Sequence, residues 1–238
     1  MTNKQEKMIC NTFGISKLMP FQKKVIADLS DGSDVLGLAR TSKGKSICFL
    51  SMITLHPNGL LIGILPTVAL MRDLVQRCED NKIRAGCLYS GNTENTNVIE
   101  RLTHRKLQAL FVAPERLSDP RLWKAIQKNS VHTVVVDEVH CLTEWGNEFR
   151  PMYRNIGKFI KDLPNSPVVA AFSATVMPDD IPYIVKSLHM KNPVVHIGKL
   201  KRSNLSIKKT FVKNDAVRYV KVRKAIQKYD SKGKIVIY

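Results

Sequence analysis

Val134-Val135-Val136-Asp137-Glu138-Val139-His140 is the stretch on which the fold turns. Three consecutive valines show no alternation between a wet and a dry face, so segment 131–136 must be covered on both sides, as a central strand of a parallel sheet is. Around it, short β-branched or leucine-rich runs at 34–38, 60–65, 85–88, 107–112 and 168–172 alternate with stretches of helical period. Pro20 suits the first turn of a helix that buries Phe21, Val25, Ile26 and Leu29. Thr67 suits the cap of another that buries Leu70, Leu74 and Val75. Strand and helix in alternation predict an α/β domain with a mainly parallel sheet and helices on both faces. Ligands of such folds gather beyond the carboxyl ends of the strands, so the residues just after each strand carry the functional reading.

An apolar strand that ends in two adjacent acids points to chemistry. Asp137 can hold Mg²⁺, directly or through water, and Glu138 can orient or deprotonate a water attacking a γ-phosphate. The competing reading is an acidic cap on the next helix. After the strand at 34–38 comes Ala39-Arg40-Thr41-Ser42-Lys43-Gly44-Lys45-Ser46, then the apolar helix start Ile47-Cys48-Phe49-Leu50. Backbone N–H groups of such a loop and the positive end of its helix cradle phosphates; Lys45 then reaches the β/γ oxygens and the Ser46 hydroxyl ligates Mg²⁺. Thr41, Ser42, Lys43, Gly44, Lys45 and Ser46 are therefore candidates for binding the phosphates of a nucleotide, with Ser46 and Asp137 as candidate Mg²⁺ ligands. Ala39 occupies the place of the first glycine in the strict pattern, and alone the Gly-Lys-Ser triplet also fits a polar loop before a helix. The acid pair downstream is what joins the two elements.

Composition narrows the partners. The chain has 238 residues, 44% hydrophobic and 24% charged, which is ordinary for a globular fold and long enough for one sizeable domain or one domain and part of another. No apolar run reaches bilayer length, and the polar start Met1-Thr2-Asn3-Lys4 leads into no signal-peptide core, so an intracellular location is expected: nucleus in a eukaryote, cytoplasm or nucleoid in a bacterium. Cys10, Cys48, Cys78, Cys87 and Cys141 form no C-x-x-C pair, so neither zinc nor a disulfide framework is expected. With 38 Lys and Arg against 20 Asp and Glu, the net charge of +18 favours a polyanionic partner, although a solvated lysine-rich surface gives the same count. The excess is steepest from Lys186 to the end, where fifteen basic residues face only Asp215 and Asp230.

The acid box Asp137-Glu138-Val139-His140, the following Cys141-Leu142-Thr143-Glu144-Trp145-Gly146-Asn147-Glu148-Phe149-Arg150 and the phosphate loop together resemble RecQ helicases of the DExH type. The similarity runs along nearly the whole chain. It implies a RecA-like P-loop lobe of a 3′-to-5′ DNA helicase that uses ATP and Mg²⁺, with Lys45, Asp137, Glu138 and His140 as the catalytic set. Phe13-Gly14-Ile15-Ser16-Lys17-Leu18-Met19-Pro20-Phe21-Gln22 resembles the segment whose glutamine reads adenine, which assigns that contact to Gln22; one amide both donates to and accepts from the base edge. Leu65-Pro66-Thr67 and Val112-Ala113-Pro114-Glu115-Arg116 are similar to segments that track the nucleic-acid backbone, though the second also reads as a turn with a surface ion pair. The loop 145–150 resembles the family's aromatic-rich sensor of single-stranded DNA, so that Trp145 and Phe149 stack on bases while Arg150 meets phosphate; two core aromatics beside a helix are the alternative. Ser173-Ala174-Thr175 resembles the hydroxyl element coupling hydrolysis to strand movement, which assigns that role to Ser173 and Thr175.

Departures from that pattern are concentrated near the nucleotide. Ser42 and Lys43 stand where glycine is usual, giving up backbone freedom where phosphate must approach. Met19 replaces an arginine and Asn147 a histidine. Toward the end, a basic connector leads to an expected strand at 205–212, a helix at Asp215–Tyr229 and a strand opening at Lys234. One strand–helix–strand piece buries too little for a second core, so residues 1–203 read as the ATP-binding lobe and 204–238 as the truncated start of a second one. The resemblance implies that arginines of a full second lobe complete the ATP site, so that the chain by itself binds single-stranded or partly duplex DNA and ATP more than it unwinds. Two rival readings are a non-catalytic nucleic-acid-binding remnant and a DExH or DEAD-type lobe acting on RNA.

Overall fold

The valine run lies at the centre of a seven-stranded sheet. In chain order the strands are β1 (Val35–Leu38), β2 (Leu60–Ile64), β3 (Ala85–Leu88), β4 (Ala109–Val112), β5 (Val131–Asp137), β6 (Val168–Ser173) and β7 (Val194–Ile197). Their spatial order is β3-β4-β2-β5-β6-β1-β7, and every pairing is parallel. The computed structural model describes residues 1–40, 44–143, 153, 155–198, 209–229 and 235, which divide between two compact units, Met1–Leu200 and Lys201–Tyr238.

Period-two alternation sorts the side chains of the first unit into two cores. On one face, Val35, Leu61, Val135, Ala170 and Phe172 meet α1 (Asn3–Phe13), α2 (Pro20–Ser30), α3 (Lys45–Leu55) and α4 (Val68–Asp80). On the other, Leu36, Ile62, Val134, Val136 and Ala171 meet α5 (Asn95–Thr103), α6 (Pro120–Ile126), α7 (Asn155–Asp162) and α8 (Ile181–Ser187). Each of the three valines is at most 1% exposed, and burying each contributes roughly 1.5–3 kcal/mol before entropy is counted. The α/β architecture with helices on both faces is the one expected from the alternation.

Local signals set the helix starts. Thr2 and Gln5 form a reciprocal capping box on α1, Pro20 opens α2, and Thr67 caps α4 by accepting from Leu70 N. Val25, Ile26, Leu29 and Leu74 are buried as expected, whereas Phe21, Leu70 and Val75 are only partly covered and Met71 and Cys78 complete the inner stripe of α4. Gly157 is required in α7, because a Cβ there would sit 1.9 Å from the Ser187 carbonyl.

Two expectations change. The edge strand β7 was not foreseen; Val194, Val195 and Ile197 are 36%, 39% and 67% exposed, so no apolar face marks it and backbone pairing with β1 alone defines it. In the second unit, α9 runs Asp215–Tyr229 as expected, but Lys209–Val212, the described part of the strand expected at 205–212, is not in a strand. A strand requires a partner, and the described residues of that unit contain none. The strand expected to open at Lys234 lies outside the described residues, apart from Ile235.

Candidate nucleotide site

The carboxyl ends of the three neighbouring strands β5, β6 and β1 bring the acid box, the hydroxyl element and the phosphate loop together. Asp137 is in register with Phe172, Leu38 with Ser173, and Ala39 N donates to Ser173 O at 3.0 Å. Lys45 begins α3 immediately after Gly44, whose left-handed backbone (φ +62°) is a conformation glycine adopts without steric cost.

Lys45 is 7% exposed, and its ammonium has no hydrogen-bond partner among the described residues. The nearest opposite charge is Asp137, with Nζ 4.0 Å from Oδ1. Burial pushes the Asp137 carboxyl above its ordinary range and Glu138 adds to this, against the opposing pull of Lys45, the Glu138 N–H and His140. A buried ammonium without an acceptor beside a carboxylate that burial disfavours fits an anion chelated to a cation, and the donor set of hydroxyl and carboxylate suits a hard divalent ion. Phosphate oxygens and Mg²⁺ answer both needs.

Glu138 adopts a left-handed backbone (φ +53°), uncommon for a residue with a Cβ. It precedes the short 3₁₀ segment Val139–Leu142, but its side chain makes no capping hydrogen bond, while Asp137 Oδ1 accepts from the Glu138 N–H at 3.0 Å. Instead Glu138 Oε2 lies 3.2 Å from His140 Nδ1, which is also 3.0 Å from Ser173 Oγ. Ser173 Oγ donates its single proton to Thr175 O (3.0 Å) and accepts from Thr175 N (3.2 Å). Toward His140 it can only accept, so Nδ1 carries the imidazole proton and shares it between Ser173 and Glu138. His140 thereby links the acid box to the hydroxyl element across 33 residues of sequence.

Gln22 lies against the phosphate loop. Its Oε1 accepts from Met19 N (2.8 Å) and its Nε2 donates to Gly44 O (3.1 Å), so the side chain ties the start of α2 to the phosphate loop. A Cβ on Gly44 would lie 2.7 Å from that Nε2. Ser46 accepts a hydrogen bond of 2.8 Å from Arg77 Nη1 of α4, a partner that sequence reasoning did not identify and that no local spacing announces. Pro114–Arg116 is a 3₁₀ turn in which Arg116 pairs with Asp119, as the simpler of the two readings of that segment has it. Thr41, Ser42, Lys43, Trp145, Phe149 and Arg150 lie outside the described residues. The five cysteines are free thiols, and burial lifts Cys48 and Cys78 to about 12. Among the described residues no helix is long and apolar enough to cross a membrane.

A lysine-bearing loop facing an acid-tipped central strand defines a class of nucleotide-driven motor domains, and comparison with known proteins specifies it. The family model described as DEAD/DEAH box helicase matches residues 19–181, more than half of the chain, and the chain belongs to that family. Within it, the similarity is to RecQ helicases. The chain is 32% identical over 213 residues to the ATP-dependent DNA helicase RecQ of Bacillus subtilis (strain 168), covering 87% of this chain and 36% of that one. With the RecQ of Haemophilus influenzae it shares 31% over 197 residues, 82% of this chain and 32% of the other. With the mouse (Mus musculus) bifunctional 3′-5′ exonuclease/ATP-dependent helicase WRN it shares 30% over 241 residues, 99% and 17% respectively. The chain thus spans about a third of the length of the first two relatives. Among solved structures, a hypothetical ATP-dependent RNA helicase from Sulfolobus tokodaii superposes with a TM-score of 0.63 at 21% identity, over 82% of this chain and 56% of that one. That likeness concerns the fold alone, which is RecA-like.

Proposed function

We propose that residues 1–203 are the ATP-binding lobe of a RecQ-type 3′-to-5′ DNA helicase, that 204–238 begin a second motor lobe, and that the chain binds Mg-ATP and single-stranded or partly duplex DNA inside the cell. The observation that carries this reading is the buried Lys45 ammonium, without a hydrogen-bond partner among the described residues and 4.0 Å from Asp137. Lys45 receives the β/γ-phosphate oxygens, and Ser46 and Asp137 are the residues that would hold Mg²⁺, which when bound neutralises phosphate charge as the γ-phosphoryl group departs. Glu138 orients the attacking water and takes its proton. The shared Nδ1 proton of His140 passes the state of Glu138 to Ser173 and Thr175, whose hydroxyls exchange hydrogen-bond partners between nucleotide states. Gln22, held against Gly44, joins adenine recognition to the shape of the phosphate loop, which also includes Thr41, Ser42 and Lys43. Trp145, Phe149 and Arg150 stack on bases and contact phosphate; this assignment rests on the sequence resemblance.

Lys45→Ala is expected to weaken binding of a fluorescent ATP analogue by about 100-fold, the loss of a buried charge-assisted contact of about 3 kcal/mol. Affinity equal to the parent's rules the site assignment out. A second reading, a nucleic-acid-binding chain without hydrolysis, draws on the Arg77 guanidinium at the Ser46 hydroxyl. Glu138→Gln separates the two: the motor reading requires hydrolysis to fall below the parent's rate, and the binding-module reading requires no change.

A further inference from the structure

Arg77 lies in the last turn of α4, partly buried, and donates from Nη1 to Ser46 Oγ at 2.8 Å. It enters no ion pair among the described residues, so its charge stands against a neutral hydroxyl rather than a carboxylate. We propose that Arg77 is a positioning residue that sets the Mg²⁺ requirement of the nucleotide site, by holding the hydroxyl that the metal must use. The inference rests on the nucleotide-binding reading above.

A serine hydroxyl offers two lone pairs, and the guanidinium takes one. A Mg²⁺ on the other, at about 2.1 Å, lies within about 5 Å of Nη1 unless Arg77 withdraws. Either outcome costs binding energy that only the metal-loaded nucleotide bears, through repulsion of a divalent by a monovalent cation or through loss of the 2.8 Å bond. The effect on a metal-free nucleotide has the opposite sign, because its uncompensated phosphates are attracted to the same guanidinium. Arg77 therefore favours a nucleotide without metal and raises the Mg²⁺ concentration at which the metal complex forms. This combination separates a metal-setting role from packing, since a merely structural arginine would weaken both forms together when removed.

The test is a titration of a fluorescent ADP analogue with the full chain, in EDTA and across a Mg²⁺ series, for the parent, Arg77→Gln, Arg77→Lys and Lys45→Ala, with circular dichroism to compare folding. Arg77→Gln should shift the Mg²⁺ midpoint down by about tenfold or more while metal-free binding stays equal or weakens. Arg77→Lys, which keeps the charge, should stay close to the parent. An unchanged midpoint in Arg77→Gln overturns the proposal, and so does an equal shift in Arg77→Lys, which would show that the positive charge at this position does not set the metal requirement. If Lys45→Ala binds as the parent does, the nucleotide-site reading itself falls. A deficient Lys45→Ala beside an unmoved Arg77→Gln removes only the role of Arg77.

Discussion

At the amino-terminal edge of the sheet, Asp34 is 7% exposed and uses both carboxylate oxygens, accepting from Val169 N at 2.8 Å and Lys191 N at 2.6 Å. At the carboxyl-terminal edge, Lys45 is equally buried, yet its ammonium has no hydrogen-bond partner among the described residues. Asn129, also at the amino edge, repeats the first pattern by donating to both Leu102 O (2.9 Å) and Ala125 O (2.8 Å). Buried polarity is costly unless partnered, so a fold that stabilises itself satisfies such groups internally. Asp34 and Asn129 are satisfied in this way. Lys45 is not, among the described residues, and the proposed nucleotide would meet its charge; that difference is the one expected between a structural polar group and a binding one.

The comparison breaks first at Asp34. Asp34→Ala leaves the buried Val169 N–H without an acceptor, at about 1–3 kcal/mol, and frees the part-buried Lys191 N–H at a smaller cost, so urea unfolding should show a loss of about 2–4 kcal/mol. Nucleotide affinity per folded molecule should not move. A stability loss well under 1 kcal/mol, or a parallel loss of affinity, would erase the distinction between the edges. Gly44→Ala comes next and acts on the other side: a left-handed alanine costs about 1–2 kcal/mol, and its Cβ, 2.7 Å from Gln22 Nε2, forces the amide off the Gly44 carbonyl. Nucleotide affinity should fall by about tenfold with less change in unfolding free energy than Asp34→Ala causes.

How far each edge was legible follows from what leaves a mark on neighbouring residues. Val134, Val135 and Val136 were readable as a central strand because covering both faces removes the need for any polar residue among them. β7 was not, because an edge strand whose valines stay about a third exposed is defined by hydrogen bonds to β1 rather than by its own side chains. Lys45 and Asp137 were found as candidates because each sits at the junction of a strand and the segment after it, where residue type and position coincide. Arg77 was invisible: it is an ordinary arginine on an amphipathic helix, and only the folded chain brings it to a hydroxyl 31 residues earlier. Gln22 was found as a residue, but its hold on Gly44 depends on a tertiary approach that spacing does not encode.

Ser173→Ala is a smaller probe of the carboxyl edge. It removes the acceptor of Thr175 N and one of the two acceptors of His140 Nδ1–H, leaving Glu138 as the remaining one. A loss of about 1–2 kcal/mol in urea unfolding is expected, with Ser173→Thr, which keeps the hydroxyl, recovering most of it. Equal losses from both substitutions would show that the hydroxyl does not hold the histidine.

The smallest expected effect is in pH, and here the two edges should differ in sign. His56, at the end of α3, and His132, at the start of β5, stack with ring centroids 3.5 Å apart. Burial lowers both imidazoles below their ordinary value near 6.5, and His132 is lowered further by His56. Folding therefore favours the neutral pair, and its contribution is complete above about pH 6.5 and declines as pH falls through the lowered values. Asp137 runs the other way: burial raises its carboxyl, so the fold disfavours the carboxylate and is relieved as pH falls through the raised value. Between pH 7 and 4, an interval that reaches close to the ordinary aspartate value of 3.8, His132→Phe, which keeps a ring in the stack, should reduce the acid loss of stability. Asp137→Asn, which removes the opposing relief, should enlarge it. Thermal unfolding midpoints of the two variants at both pH values measure this directly, and shifts of the same sign would mean that the buried polarity at the two edges is of one kind after all.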